Sequence, residues 1–214
     1  MMTAAERLQH VRERIARAAK ASGRDLKAIQ LIAVSKTRSA DEIEALIAAG
    51  QRDFGESRVQ EAVDKWPALK ATHREIRLHM IGRLQSNKAA EAAALFDVIH
   101  SLDRPSLLDA LVATDVPIPC FVQVNIGQEA QKGGIAAAEL GTFLETVRGS
   151  RIPLAGLMAI PPIDAQPGPY FALLAKLARR HDVSGLSMGM SADYETAVML
   201  GATHVRVGSA LFED

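Results

Sequence analysis

The chain has 214 residues, 48% of them hydrophobic and 4% aromatic, and its 25 basic and 25 acidic side chains cancel to a formal charge of +0. That composition belongs to an ordinary globular protein and lacks the basic face and stacking platforms that nucleic acid or an anionic membrane would need as a partner. A single cysteine, Cys120, excludes an internal disulfide and any multi-cysteine metal site, and no pair of residues has metal-ligand spacing.

Residues 1–22 are rich in Ala and Arg. Glu6 and Glu13 interrupt the charge, and Leu8, Val11 and Ile15 repeat at helical spacing, so the segment reads as an amphipathic helix docked on the rest of the chain rather than a transit peptide. No apolar run approaches the roughly 18 residues that span a bilayer, and the start lacks the apolar core of a secretory signal; the expected location is the cytoplasm. From there, short β-rich runs alternate with longer helical patterns. The strands are expected at 31–34, 51–54, 78–81, 98–100, 121–126, 154–160, 185–188 and 204–207, with helices such as 40–49, 56–69, 136–147, 170–181 and 192–200, several ending at a glycine like Gly50 or Gly201. An open doubly wound sheet alternates in the same way. About eight strands, most followed by polar, Gly-rich segments, favour closure into an α/β fold: a single (β/α)8 TIM-type barrel over residues 1–214 with one extra N-terminal helix. The Pro- and Gly-rich stretch 161–169 reads either as a loop at the functional rim or as a plain connector.

In a parallel barrel the strand C-termini share one rim, so polar residues just after strands are the first candidates for chemistry. Lys36 ends the first strand, where partial desolvation would favour the neutral amine that carbonyl chemistry needs; a solvated lysine is the plain alternative, and Lys88 and Lys132 have similar standing. After the seventh and eighth strands come Gly189 and Ser191, then Gly208 and Ser209. These small and hydroxyl residues suit a phosphate, although Ser191 could instead cap the helix that follows. Arg206 stands two residues before Gly208, hence on the same, inward face, where it needs an acceptor: a phosphate, an aromatic nitrogen or a neighbouring carboxylate. An aldehyde-reactive lysine, a phosphate cradle and an arginine at one mouth describe a receptor for pyridoxal 5'-phosphate.

Six segments also carry a resemblance: Leu31-Ile-Ala-Val-Ser-Lys36, Phe54-Gly-Glu-Ser-Arg-Val-Gln-Glu61, His79-Met-Ile-Gly-Arg-Leu-Gln-Ser-Asn-Lys88, Gly156-Leu-Met-Ala-Ile-Pro161, Ser187-Met-Gly-Met-Ser191 and Arg206-Val-Gly-Ser-Ala210. In this order they resemble the pyridoxal phosphate homeostasis proteins, single-domain relatives of the barrel half of alanine racemase. The resemblance implies that Lys36 carries pyridoxal phosphate as a Schiff base and that Ser191, Gly208 and Ser209 hold its phosphate beside Met190. It also implies that Arg206 faces the pyridine nitrogen and that Ser57 and His79 contact the cofactor. The sequence departs from the family at Ser57 and Arg58, where Asn and Tyr are usual, at Leu78, where Trp is common, and in the loop 127–134.

The expected function is binding and carriage of pyridoxal phosphate, with a part in vitamin B6 and amino-acid balance and little catalysis. The expected partners are the cofactor, amino acids and apoenzymes that use it, with the chain itself a monomer. Racemase relatives use a second domain that supplies an opposing tyrosine, whereas only Tyr170 and Tyr194 are available here. Two enzymes remain as alternatives: an amino-acid racemase whose acid comes from a partner chain or from His79, and a Schiff-base aldolase acting on a sugar phosphate. His10, His73 and His181 are expected in solvent, Trp66 between a helix and the barrel, and Cys120 in or beside the fifth strand's core.

Overall fold

A computed structural model describes residues 2–129 and 131–213. The first helix, α1 (Ala4–Ala21), starts at a reciprocal cap in which the Thr3 hydroxyl accepts from the Glu6 amide and the Glu6 carboxylate accepts from the Thr3 amide. Its apolar stripe, Leu8, Val11 and Ile15, is buried as the spacing predicts. Strands and helices then alternate: β1 (Gln30–Val34), α2 (Ala40–Ala48), β2 (Asp53–Glu56), α3 (Val59–Thr72), β3 (Arg77–Met80), α4 (Ala89–Leu95), β4 (Val98–Leu102) and α5 (Pro105–Val112). The second half adds β5 (Cys120–Gln123), α6 (Leu140–Arg148), β6 (Leu154–Met158), α7 (Pro167–Arg180), β7 (Leu186–Ser187), α8 (Tyr194–Met199), β8 (His204–Val207) and α9 (Ser209–Phe212). The strands pair in parallel in chain order and β8 closes on β1, so the fold is an α/β barrel, as expected.

Register decides which side chains point inward. A Cβ added to Gly55 would stand 3.0 Å from both the Ile32 and Ile81 side chains, so these three positions share the barrel interior. The period of two then turns Gln30, Ile32 and Val34 inward on β1, Asp53 and Gly55 on β2, His79 on β3, and His204, Arg206 and Gly208 at the closing strand. Outside, the main core lies between barrel and helices. There Trp66 of α3 is fully buried against Phe54 of β2, with ring centroids 5.3 Å apart. Inside, Val98, Phe121 and Met158 form a small separate apolar cluster, and the opposite half of the lumen is polar. Among the described residues no helix is long and apolar enough to cross a membrane.

Several expected boundaries are corrected. The second strand begins at Asp53 rather than residue 51, because the Gln51 side chain is spent on the turn, donating to Leu31 O at 2.6 Å and Asp53 O at 2.8 Å. The fifth strand stops at Gln123, and the Asn125 side chain folds the chain back by accepting from the Glu129 amide and donating to its carbonyl. α3 starts at Val59 rather than 56, α6 at Leu140 rather than 136, and β7 has 2 residues. The stretch 161–169 is a loop only in its first part, since α7 starts at Pro167, where a fixed φ and a missing N–H suit a first turn.

Candidate functional site

Lys36 lies two residues past Val34 and continues the inward alternation of β1 at the C-terminal rim. The backbone on either side of it is fastened to β2 and α3. Ser35 donates its amide to Gly55 O at 3.0 Å and its hydroxyl to Glu56 Oε1 at 2.8 Å, and Trp66 Nε1 donates to the same oxygen at 2.9 Å. Lys65 Nζ lies 2.9 Å from that carboxylate and donates to Ser35 O at 3.0 Å and Arg38 O at 3.2 Å. Thr37 holds a left-handed backbone at φ 62 and donates its amide to Glu61. Lys36 itself is exposed, which corrects the expected partial desolvation: the strand has ended and its side chain stands above the rim. Its amine has no partner among the described residues, whereas Lys88 pairs with Glu91 at 2.8 Å and Lys132 with Glu129 at 2.7 Å.

The two loops after β7 and β8 are tied together. Gly208 donates its amide to Ser191 Oγ at 3.1 Å, and Arg206 donates its amide to Gly189 O at 2.9 Å. Ser191 therefore bridges the loops and does not cap α8, whose first residue follows Asp193. Asp193 accepts from the Met190 amide at 2.6 Å, and the Met190 side chain is exposed. The amides of Ser209 and Ala210 precede the first bond of the closing turn, Leu211 N to Gly208 O at 2.8 Å, so they stay available as donors beside the Ser191 and Ser209 hydroxyls. Gly208 faces Val34 across the seam, with a Cβ added to it only 3.4 Å from the Val34 Cβ, which brings this donor set next to the strand that leads to Lys36.

Arg206 is inward and buried, as the spacing predicts. Its acceptors are Ser187 Oγ and Ala159 O, the latter at 3.1 Å, rather than the carboxylate of a neighbouring strand. Burial lowers its pKa to about 10, with Asp193 opposing the shift, so it stays cationic at neutral pH. His79 is corrected more strongly. It is no rim residue but is fully buried, Nδ1 lying 3.0 Å from His100 Nε2 and Nε2 lying 3.0 Å from Asp53 Oδ1. One further step along β3, at Ile81, would have been needed to reach the mouth. His100 in turn sits 2.8 Å from Ser187 Oγ and stacks on Phe121 at 4.4 Å. Asp53 and His100 carry no signal of their own in the sequence, and Ser187 stands there only as the first residue of the segment ending at Ser191; collecting the polar residues at inward positions of every strand would have joined them.

Ser57 is half-buried and, with Arg58, Arg83, Lys88 and Arg104, lines a cleft of about 550 Å³ beside the mouth. Tyr194 is buried in the outer core with the Arg14 guanidinium 5.4 Å over its ring, and burial raises its pKa; Tyr170 is partly buried against the same core. His10 is exposed and His73 and His181 are half-buried, while Cys120 is fully buried in β5, which pushes its thiol up to about 12. The altered loop 127–134 includes Ala130, which lies outside the described residues. Among the described residues no group of three or more His, Cys, Asp or Glu is arranged to hold a metal ion.

The family described as "Alanine racemase, N-terminal domain" matches residues 7–214. The "Pyridoxal phosphate homeostasis protein" of Pseudomonas aeruginosa is 40% identical over 99% of this chain and 96% of its own length. The protein of the same name from Escherichia coli is 40% identical over 97% of this chain and 95% of its own. This chain belongs to the pyridoxal phosphate homeostasis protein family. A solved member of known fold is PipY of Synechococcus elongatus, with pyridoxal phosphate bound; it is 35% identical, with a TM-score of 0.79 over 93% of this chain and 99% of its own. Within the family's barrel, the residues brought together here are Lys36, Ser191, Gly208, Ser209 and Arg206, while His79 falls below the mouth and Ser57 to one side.

Proposed function

We propose that the chain binds pyridoxal 5'-phosphate, holds it as a Schiff base on Lys36, and stores and hands on this cofactor rather than turning over amino acids. The observation that carries the reading is the Lys36 amine: of the three candidate lysines it alone lacks a partner among the described residues, and it follows the strand that faces the Gly208 donor set. The donors fit the group. Hydroxyls of Ser191 and Ser209 and the amides of Ser209 and Ala210 suit a phosphate dianion, and the buried Arg206, with two of its five N–H groups engaged, has others to give a ring nitrogen. The bound form of PipY supports the same ligand.

When bound, pyridoxal phosphate supplies an electrophilic aldehyde and an electron-withdrawing ring. A guanidinium against the ring nitrogen opposes its protonation, because a second cation there is unfavourable, and that weakens electron withdrawal. The protein's own groups favour retention over turnover in another respect. Tyr194 sits in the outer core and His79 deep in the lumen, so neither is placed as the opposing acid that racemisation needs.

Borohydride reduction of the cofactor-loaded protein followed by peptide mapping is expected to place the adduct on Lys36, and Lys36→Ala is expected to lose the visible band while keeping its circular dichroism. An adduct on another side chain overturns the assignment. Exchange of the α-proton of L- or D-amino acids at ordinary enzyme rates overturns the carrier reading.

A further inference from the structure

The polar half of the lumen is a single file of hydrogen bonds. It runs from Arg206 through Ser187, His100 and His79 to Asp53, the first residue of β2 at the barrel floor, where Gln30 Nε2 also donates to Asp53 Oδ1 at 3.0 Å. Its direction follows from chemistry at either end. A guanidinium can only donate, so Ser187 Oγ accepts from Arg206 and has its own proton to give to His100 Nδ1, 2.8 Å away. His100 must then carry its proton on Nε2 and donate to His79 Nδ1, and His79 must carry its proton on Nε2 and donate to Asp53. Starting from the floor gives the same answer: a carboxylate only accepts, so His79 is protonated on Nε2, and each remaining tautomer follows. A second proton on either imidazole would set two donors face to face.

We propose that Asp53, His79, His100 and Ser187 are positioning residues for Arg206, conveying the negative charge of Asp53 from the barrel floor to the guanidinium and fixing the direction in which Arg206 presents its remaining donors. This rests on the reading that Arg206 faces the ring of bound pyridoxal phosphate. The burial pattern agrees. The side chains of His79 and Asp53 are 0% and 15% exposed, so the row is shielded in its middle and open to water near its acidic end. Burial, reinforced by the Arg206 guanidinium, holds the His100 imidazole well below its usual range and therefore neutral, as a one-way row needs. His204 lies in the same cluster, with its ring 5.8 Å from that of His100, but bonds to Thr203 Oγ1 and stands outside the file, which makes it the internal control.

Two measurements test this, and the first needs no cofactor. Long-range proton–nitrogen NMR of the cofactor-free protein at neutral pH is expected to find His79 and His100 both neutral and both protonated on Nε2. Either ring in the Nδ1–H form, or charged, overturns the row whatever the protein binds. The second uses Asp53→Asn, which removes the charge and leaves an oxygen acceptor, with His100→Phe beside it and circular dichroism to verify folding. In the cofactor-free protein both variants are expected to weaken the Arg206 Nη1–Ser187 bond and so to speed exchange of the Arg206 Nη protons by roughly tenfold. In the loaded protein both are expected to shift the visible band, and His204→Phe is expected to leave it in place. An unchanged Arg206 signal and band in Asp53→Asn overturn the proposal, whereas absence of any band in the parent protein overturns the cofactor reading instead.

Discussion

Glu56 has no exposed atoms, and one of its oxygens accepts from the Ser35 hydroxyl and the Trp66 indole and forms an ion pair with the Lys65 ammonium. The Lys65 side chain is only 11% exposed, so this ion pair is largely withdrawn from water. Removing one partner of such a pair strands the other, at a cost of about 3–5 kcal/mol. Lys65→Met is therefore expected to lower the unfolding free energy by about 3 kcal/mol or more in urea titration. A loss within about 0.5 kcal/mol, typical of surface substitutions, would mean that Glu56 finds other company. The pairing of Lys65 with Glu56 is not readable from the sequence, where Lys65 stands four residues after Glu61 and has the spacing of an ordinary solvated helix pair.

The element that matters most to the lysine is α3. It packs its indole onto β2, and it reaches over the rim through Glu61 and Lys65 to hold the backbone of residues 35–38. Glu61→Ala should leave the barrel intact, because it removes bonds from the Thr37 amide and the Lys65 ammonium and no apolar contact from the core. The expected outcome is a loss of about 1 kcal/mol in global stability, with faster hydrogen exchange at the Thr37 amide, which loses its acceptor and holds a backbone conformation that a β-branched residue adopts at a cost. Unchanged protection at Thr37 would sever α3 from the control of Lys36. The barrel's alternation of strand and helix was legible in short β-rich apolar runs set between longer helical patterns, and the period of two put Arg206 and Gly208 on one face. Ends of elements were less so. Gln51 reads as the start of the second strand, but its side chain bonds to backbone and keeps it off the ladder.

At the scale of the molecule, the histidines of the lumen couple stability to acidity. Unfolded imidazoles take up a proton near pH 6.5, while burial lowers His204 to about 3 and His100 well below its usual range. Below the unfolded value the unfolded chain thus binds more protons, so stability is complete above it and falls on acidification, by about 1.4 kcal/mol per pH unit for each such histidine. Urea titrations from neutral pH down to about pH 5 should show this slope, and His204→Gln should remove a large share of it. A slope that the substitution does not reduce would place the acid sensitivity elsewhere. The coupling escaped the sequence because His79, His100 and His204 come from three strands, and only barrel closure brings their rings within 6.4 Å of one another.

The first helix and the turn after it brace, from behind, the loops that follow β7 and β8. Arg14 pairs with Glu195 of α8, Arg24 donates to Val198 O and Ala202 O, both at 2.7 Å, and Arg7 donates to Leu211 O of α9 at 2.9 Å. Those two helices begin after Ser191 and at Ser209, so the brace bears on the loops that carry these hydroxyls, while the Leu8, Val11 and Ile15 stripe packs into the main core. On the proposed reading, cutting the Arg7 and Arg14 contacts would shorten the dwell time of bound cofactor from the back of the molecule, with no substitution at the mouth.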